Sequence, residues 1–215
     1  MRISHEHKFI FFALPKTGST TIRFCLDQYF NAESIAPAQG EYIKSVGESK
    51  SPYYHHGSLK NLKEEFLNNN WNWSKYFKFT FVRNPFDRIV SFYHYYRQDL
   101  GYVERPELKP ESYLKLVKAS QDSSFTDFIK YNKIDIMPSQ FEQIKGGEVF
   151  IGKSENLQED FNTVCDKIGI PRQQLPHKNK SKHKHYTEYY DDETREIVAK
   201  KYAKDIEYFN YEFGE

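Results

Sequence analysis

The sequence predicts an α/β protein, a three-layer arrangement in which a mainly parallel sheet is flanked by helices. Three observations predict it. Short continuous apolar runs stop at turn residues, each run is followed by a segment of helical period, and this strand-then-helix order recurs along the chain. Parallel strands need such crossovers, because a two-residue turn joins only antiparallel neighbours. The 215 residues suit a single domain over residues 1–215, and neither a Pro/Gly/Ser-rich linker nor an internal repeat divides them.

The first strand is residues 8–14 (KFIFFAL), an uninterrupted apolar run ending at Pro15, as expected of a strand covered on both faces. From Thr20 the apolar positions Ile22, Cys25, Leu26 and Tyr29 fall at i, i+3, i+4 and i+7, which is a helix with one buried stripe. Residues 77–97 repeat the unit. FKFTFV is the strand, Asn84 can cap, Pro85 suits the first helical position, and the helix buries Ile89, Phe92, Tyr93 and Tyr96. A third strand, Val149 to Ile151, leads to a helix striped by Leu157, Phe161, Val164, Cys165 and Ile168 that ends at Gly169. A last helix, capped near Asp191 or Asp192, carries Val198, Tyr202, Ile206 and Phe209 on one side. Residues 31–52 and 98–120 read as irregular excursions, and the basic run 177–185 (HKNKSKHKH) as a loop.

Composition narrows the chemistry. Lys plus Arg number 31 against 30 Asp plus Glu, so no broad basic surface for duplex nucleic acid or an anionic membrane is expected, and any anion site must be local. The 18 Phe and 17 Tyr point to an aromatic core and to tyrosines on concave surface. Only Cys25 and Cys165 are present, too few for a disulfide framework and without zinc-ligand spacing, so a reducing, cytoplasmic setting is the expectation. No run is long enough to span a membrane.

The strongest motif is Pro15-Lys16-Thr17-Gly18-Ser19-Thr20-Thr21, between a buried strand and a helix. N–H groups at a helix N-terminus and the helix dipole favour an anion there, and Gly18 permits close approach. Lys16 adds charge; Ser19, Thr20 and Thr21 add hydroxyl donors. On capping chemistry alone, a Ser/Thr-capped helix with a solvated lysine fits equally well. A Walker A loop would place the lysine after a second glycine, whereas here it precedes Gly18.

The order P-K-T-G-S-T resembles instead the 5′-phosphosulfate loop of sulfotransferases that use 3′-phosphoadenosine 5′-phosphosulfate. Arg83-Asn84-Pro85-Phe86-Asp87-Arg88-Ile89-Val90-Ser91 is similar to that family's 3′-phosphate segment, which implies that Arg83 and Ser91 bind the 3′-phosphate. Physically, Arg83 offers a planar fork suited to phosphate, while Ser91 rests on the resemblance alone. Ser154-Glu155-Asn156-Leu157-Gln158-Glu159-Asp160-Phe161 and the chain's end resemble family 2, the branch that includes carbohydrate sulfotransferases. The resemblance thus implies a P-loop NTPase-like sulfotransferase fold, a sulfate donor bound by Lys16, Thr17, Gly18, Ser19, Thr20, Thr21, Arg83 and Ser91, and a glycan or other hydroxyl acceptor. Lys178, Lys180, Ser181 and Lys182 are further nucleotide candidates, because the family often closes over the nucleotide at this loop.

Transfer to a hydroxyl needs a proton acceptor, and histidine titrates near working pH. Tyr53-Tyr54-His55-His56-Gly57-Ser58 resembles the segment in which family 2 enzymes hold a catalytic histidine before a helix. Alignment on Ser58 selects His56, and the adjacency of the two rings keeps His55 open. No metal is implied, since a fixed lysine can supply the charge that Mg²⁺ supplies in kinases. A P-loop-type kinase and a non-catalytic nucleotide- or glycan-binding module are the rival readings.

Overall fold

The computed structural model describes residues 2–30, 59–97, 117–118, 120–131, 137–176 and 184–215. In chain order these form β1 (Arg2–Ser4), β2 (Phe9–Phe12), α1 (Ser19–Leu26), α2 (Leu59–Asn68), β3 (Phe77–Val82), α3 (Pro85–Arg97), α4 (Phe125–Tyr131), α5 (Gln140–Ile144), β4 (Phe150–Lys153), α6 (Leu157–Ile168), α7 (Asp192–Lys201) and α8 (Ala203–Phe209). Contacts divide the chain into two compact units. The first is residues 1–83 with 142–179, the second 84–141 with 180–215.

The first unit is the sheet and its covering helices. Strand order is β1-β2-β3-β4, with β1 antiparallel to β2 and the other two pairings parallel. The α/β class and the mainly parallel sheet expected from the strand-helix alternation are therefore observed. Because side chains alternate across a strand, Phe9 and Phe11 of β2 join Phe79 and Phe81 of β3 on one face, where α1 supplies Ile22 and Leu26 and α6 supplies Phe161 and Val164. The other face takes Ile10 and Phe12 with Ile3 of β1, and Leu62 and Phe66 of α2 cover it. Three layers result.

Register places the carboxyl ends of the parallel strands side by side: Phe12 pairs with Thr80, and Val82 with Lys153. Thr80 is fully buried and satisfies its hydroxyl by donating to the Phe12 carbonyl at 2.7 Å. The loops that follow, residues 13–18, 83–84 and 154–156, consequently leave the sheet at one edge. That edge is where open parallel sheets carry their ligands.

The second unit is helical among the described residues. Asn84 caps α3 as its sequence position suggested, its side chain accepting from Phe86 N at 3.1 Å. Phe86, Ile89, Val90 and Tyr93 of α3 pack with Phe125 and Phe128 of α4 and Val198 of α7. Asp191 closes a capping box with Thr194 at the start of α7. The final helix expected through residue 209 is broken at Tyr202, whose φ of −106° and ψ of 25° leave the helical region. Below the break, the fully buried Asp205 accepts from Gln140 N at 2.8 Å, Phe141 N at 3.0 Å and the Ser139 hydroxyl, tying α8 to the first turn of α5.

Candidate functional site

The Pro15–Thr21 loop leaves the edge of the sheet through two left-handed residues, Lys16 at φ +65° and Gly18 at φ +80°. Between them Thr17 is fully buried and donates its hydroxyl to the Leu14 carbonyl at 3.0 Å, which closes the turn. That hydroxyl therefore staples the loop, and any contact of Thr17 with an anion falls to its N–H. Gly18 is the N-cap of α1, its carbonyl accepting from Thr21 N at 3.0 Å and Ile22 N at 3.2 Å. A Cβ on Gly18 would lie 2.9 Å from Cδ2 of Leu157, the first residue of α6. The glycine is required twice over, by its backbone angle and by this packing.

Around the loop the structure gathers cations. Arg83, leaving β3, donates from Nη1 to the Lys16 carbonyl at 3.4 Å. The Lys16 ammonium, withdrawn from water and facing the Arg83 charge, is pushed down to about 8, burial being the larger cause. Arg23 grips the loop from the next turn of α1, with Nε 3.3 Å from the Ser19 carbonyl and Nη2 3.3 Å from Thr20 Oγ1. Because Thr20 Oγ1 accepts from Arg23, its own hydroxyl proton points elsewhere. Sequence reasoning passed over Arg23, although its i+3 and i+4 spacing from Thr20 and Ser19 was a readable signal. Lys16 and Arg83, held together against a glycine loop and a helix N-terminus, suit a phosphate- or sulfate-bearing ligand.

The other sequence candidates distribute as follows. Lys16, Thr17, Gly18, Ser19, Thr20, Thr21 and Arg83 come together in the first unit, with Ser19 half-buried, Thr20 exposed and Thr21 buried. Ser91 is buried on α3 and belongs to the second unit. His55, His56, Lys178, Lys180, Ser181 and Lys182 lie outside the described residues. The Glu155–Asp160 stretch is structural in its visible contacts. Asp160 accepts from Lys153 N at 2.6 Å and Asn156 Nδ2 at 3.1 Å, which shapes the turn that sets Leu157 against Gly18. Among the described residues no group of three or more His, Cys, Asp or Glu is placed to hold a metal ion. Nor is any described helix long and apolar enough to cross a membrane.

Comparison with known proteins agrees with this geometry. The family model described as "Sulfotransferase family" matches residues 1–212. An uncharacterized protein of Archaeoglobus fulgidus is 32% identical over 104 residues, which cover 46% of this chain and 72% of that one. Carbohydrate sulfotransferase 9 of Homo sapiens is 24% identical over 230 residues, covering 95% of this chain and 47% of the human protein. The chain thus spans about half the length of that human relative.

Proposed function

The chain belongs to the sulfotransferase family, and from this premise we propose that it moves a sulfuryl group from 3′-phosphoadenosine 5′-phosphosulfate to a carbohydrate hydroxyl, without a metal. The observation that carries the proposal is the convergence of Lys16 and Arg83 on the Gly18 loop. The donor supplies the sulfuryl group when bound. Lys16 Nζ and the N–H groups of residues 17–20 are assigned to the 5′-phosphosulfate end, where preorganised positive charge counters the charge that grows as the sulfur–oxygen bond breaks. Arg83 and Ser91 are assigned to the 3′-phosphate on the family resemblance, with Lys180 and Ser181 as further nucleotide contacts. His56, with His55 as the alternative, takes the acceptor's proton. The carbohydrate acceptor is supported by the likeness to carbohydrate sulfotransferase 9.

The whole of residues 1–215 is proposed to act as one catalytic domain, since the family match runs through residues of both units. A cytoplasmic setting is proposed because the chain has only two cysteines, Cys25 and Cys165, too few for a disulfide framework. A transfer assay with labelled donor against pooled glycans and small alcohols tests the activity directly. His56→Ala should lower kcat roughly 10²- to 10⁴-fold and leave adenosine 3′,5′-bisphosphate affinity unchanged. Stabilisation by ATP and not by adenosine 3′,5′-bisphosphate would turn the assignment toward phosphoryl transfer.

A further inference from the structure

Arg23 stands where a cation is disfavoured. Long side chains on a helix lean back toward its N-terminus, so the Arg23 guanidinium reaches the first turn of α1, where Nε lies 3.3 Å from the Ser19 carbonyl and Nη2 3.3 Å from Thr20 Oγ1. That is the positive end of the helix dipole. Arg2 of β1 adds a like charge nearby: burial, with the Arg23 charge second, pushes the Arg2 guanidinium down to about 10. Burial lowers Arg23 too, against the attraction of Asp27 one turn further along α1. Dipole, burial and like charge all oppose this placement, so stability alone does not account for it.

The contact with Thr20 has a direction. A guanidinium carries donors and no acceptor, whereas a hydroxyl has one proton and two lone pairs, so toward Arg23 the Thr20 oxygen can only accept. Its proton is thereby turned away from the arginine. Left to itself, a threonine hydroxyl near a helix start divides its proton between local carbonyls and water. Thr20 is exposed in the first turn of α1, among the N–H groups that face an anion. The second contact, from Nε to the Ser19 carbonyl, holds the planar fork so that Nη2 stays aimed at Thr20. A charged donor on the hydroxyl oxygen also polarises its O–H and strengthens it as a donor.

We propose that Arg23 is a positioning residue of the anion loop, acting through Thr20, whose hydroxyl proton it aims at the ligand's phosphate oxygens. That the ligand is the sulfate donor rests on the sulfotransfer reading above; the coupling of Arg23 to Thr20 does not. The test is a double-mutant cycle, Arg23→Met and Thr20→Val singly and together, read by calorimetric titration of the full chain with adenosine 3′,5′-bisphosphate and, separately, inorganic pyrophosphate. With Thr20 present, Arg23→Met should weaken both ligands about tenfold, the scale of losing one hydrogen bond, and in the Thr20→Val background by less than about twofold. Arg23→Lys, also donor-only, should keep most of the affinity. Arg23→Gln should lose as much as Arg23→Met, because its amide oxygen can draw the Thr20 proton to itself. A merely structural arginine would cost the same in both backgrounds. Equal losses with and without the Thr20 hydroxyl, parental affinity in Arg23→Met, or Arg23→Gln binding like the parent overturns the assignment, and a parent that binds neither ligand overturns it together with the donor reading. Pyrophosphate bound with full coupling by a chain that ignores adenosine 3′,5′-bisphosphate would overturn the donor reading alone and leave the role of Arg23 standing.

Discussion

Lys16 carries two local penalties at once, and both are consistent with a residue held ready for an anion. Its left-handed backbone costs a non-glycine residue about 1 kcal/mol or more, and its ammonium is desolvated beside Arg83. The lowered value fixes the sign of the linkage. Below about 8 the lysine is charged in both folded and unfolded chains, so the penalty is fully present. Between there and the unfolded value of about 10.4, the unfolded chain binds the extra proton and stability rises with pH. Lys16→Met should therefore raise the ligand-free Tm at pH 7, by about 2 °C or more, with the advantage shrinking through that window. Calorimetry across pH checks it, and a variant no more stable than the parent at pH 7 would show that the charge costs nothing. Turnover should move the opposite way, kcat falling about a hundredfold in Lys16→Ala. Lys16 and Gly18 were legible in the sequence because the loop's chemistry is local. The inward turn of the Thr17 hydroxyl was not, since one backbone rotation decides it.

At the scale of elements, the loop's position depends on α6, which lies far away in sequence. Leu157 fills the space above Gly18, and Gly152 of β4 lies so close to Phe81 that a Cβ would meet its ring at 2.6 Å. Gly18→Ala should cost roughly 1–3 kcal/mol, combining strain at positive φ with overpacking, and should weaken adenosine 3′,5′-bisphosphate binding. Adding Leu157→Ala should recover only the packing part, because the backbone angle remains. Denaturant unfolding of the single and double variants separates the two contributions. In the second unit, Asp205→Ala strips partners from Ser139, Gln140 N and Phe141 N together, so a loss of about 2–4 kcal/mol is expected, with Asp205→Asn intermediate. Strand-loop-helix units were readable from apolar runs and caps such as Asn84, Gly169 and Asp191. β1 was not, because three residues cannot display a period. The break at Tyr202 was hidden for the opposite reason. The apolar stripe runs through it unchanged, from Val198 to Phe209, and both Tyr202 and Phe209 are buried.

For the whole molecule, the order in which the chain supplies its cores decides what can fold alone. Every residue assigned to the donor in the two strand-loop-helix motifs, Lys16 through Thr21 with Arg83 and Ser91, precedes residue 142, and so does His56. A fragment 1–141 would look sufficient by motif. Yet the first core takes Phe161, Val164, Cys165 and Ile168 from α6, and β3 pairs along its edge with β4. The second core takes Tyr186, Val198 and Tyr202 from the chain's end, where the Tyr202 hydroxyl also donates to the Met137 carbonyl at 2.9 Å. Removing residues 142–215 would expose several large apolar side chains in each unit, at roughly 1.5–3 kcal/mol apiece, against a total stability of about 5–15 kcal/mol. Fragment 1–141 should thus give the dispersed amide spectrum of neither unit and show no saturable binding of adenosine 3′,5′-bisphosphate. The full chain, read as one domain, should unfold in a single calorimetric transition whose van't Hoff and calorimetric enthalpies agree. Two resolved transitions would separate the units thermodynamically, and a folded, nucleotide-binding 1–141 would mean that α6 and the C-terminal helices are dispensable to the donor site.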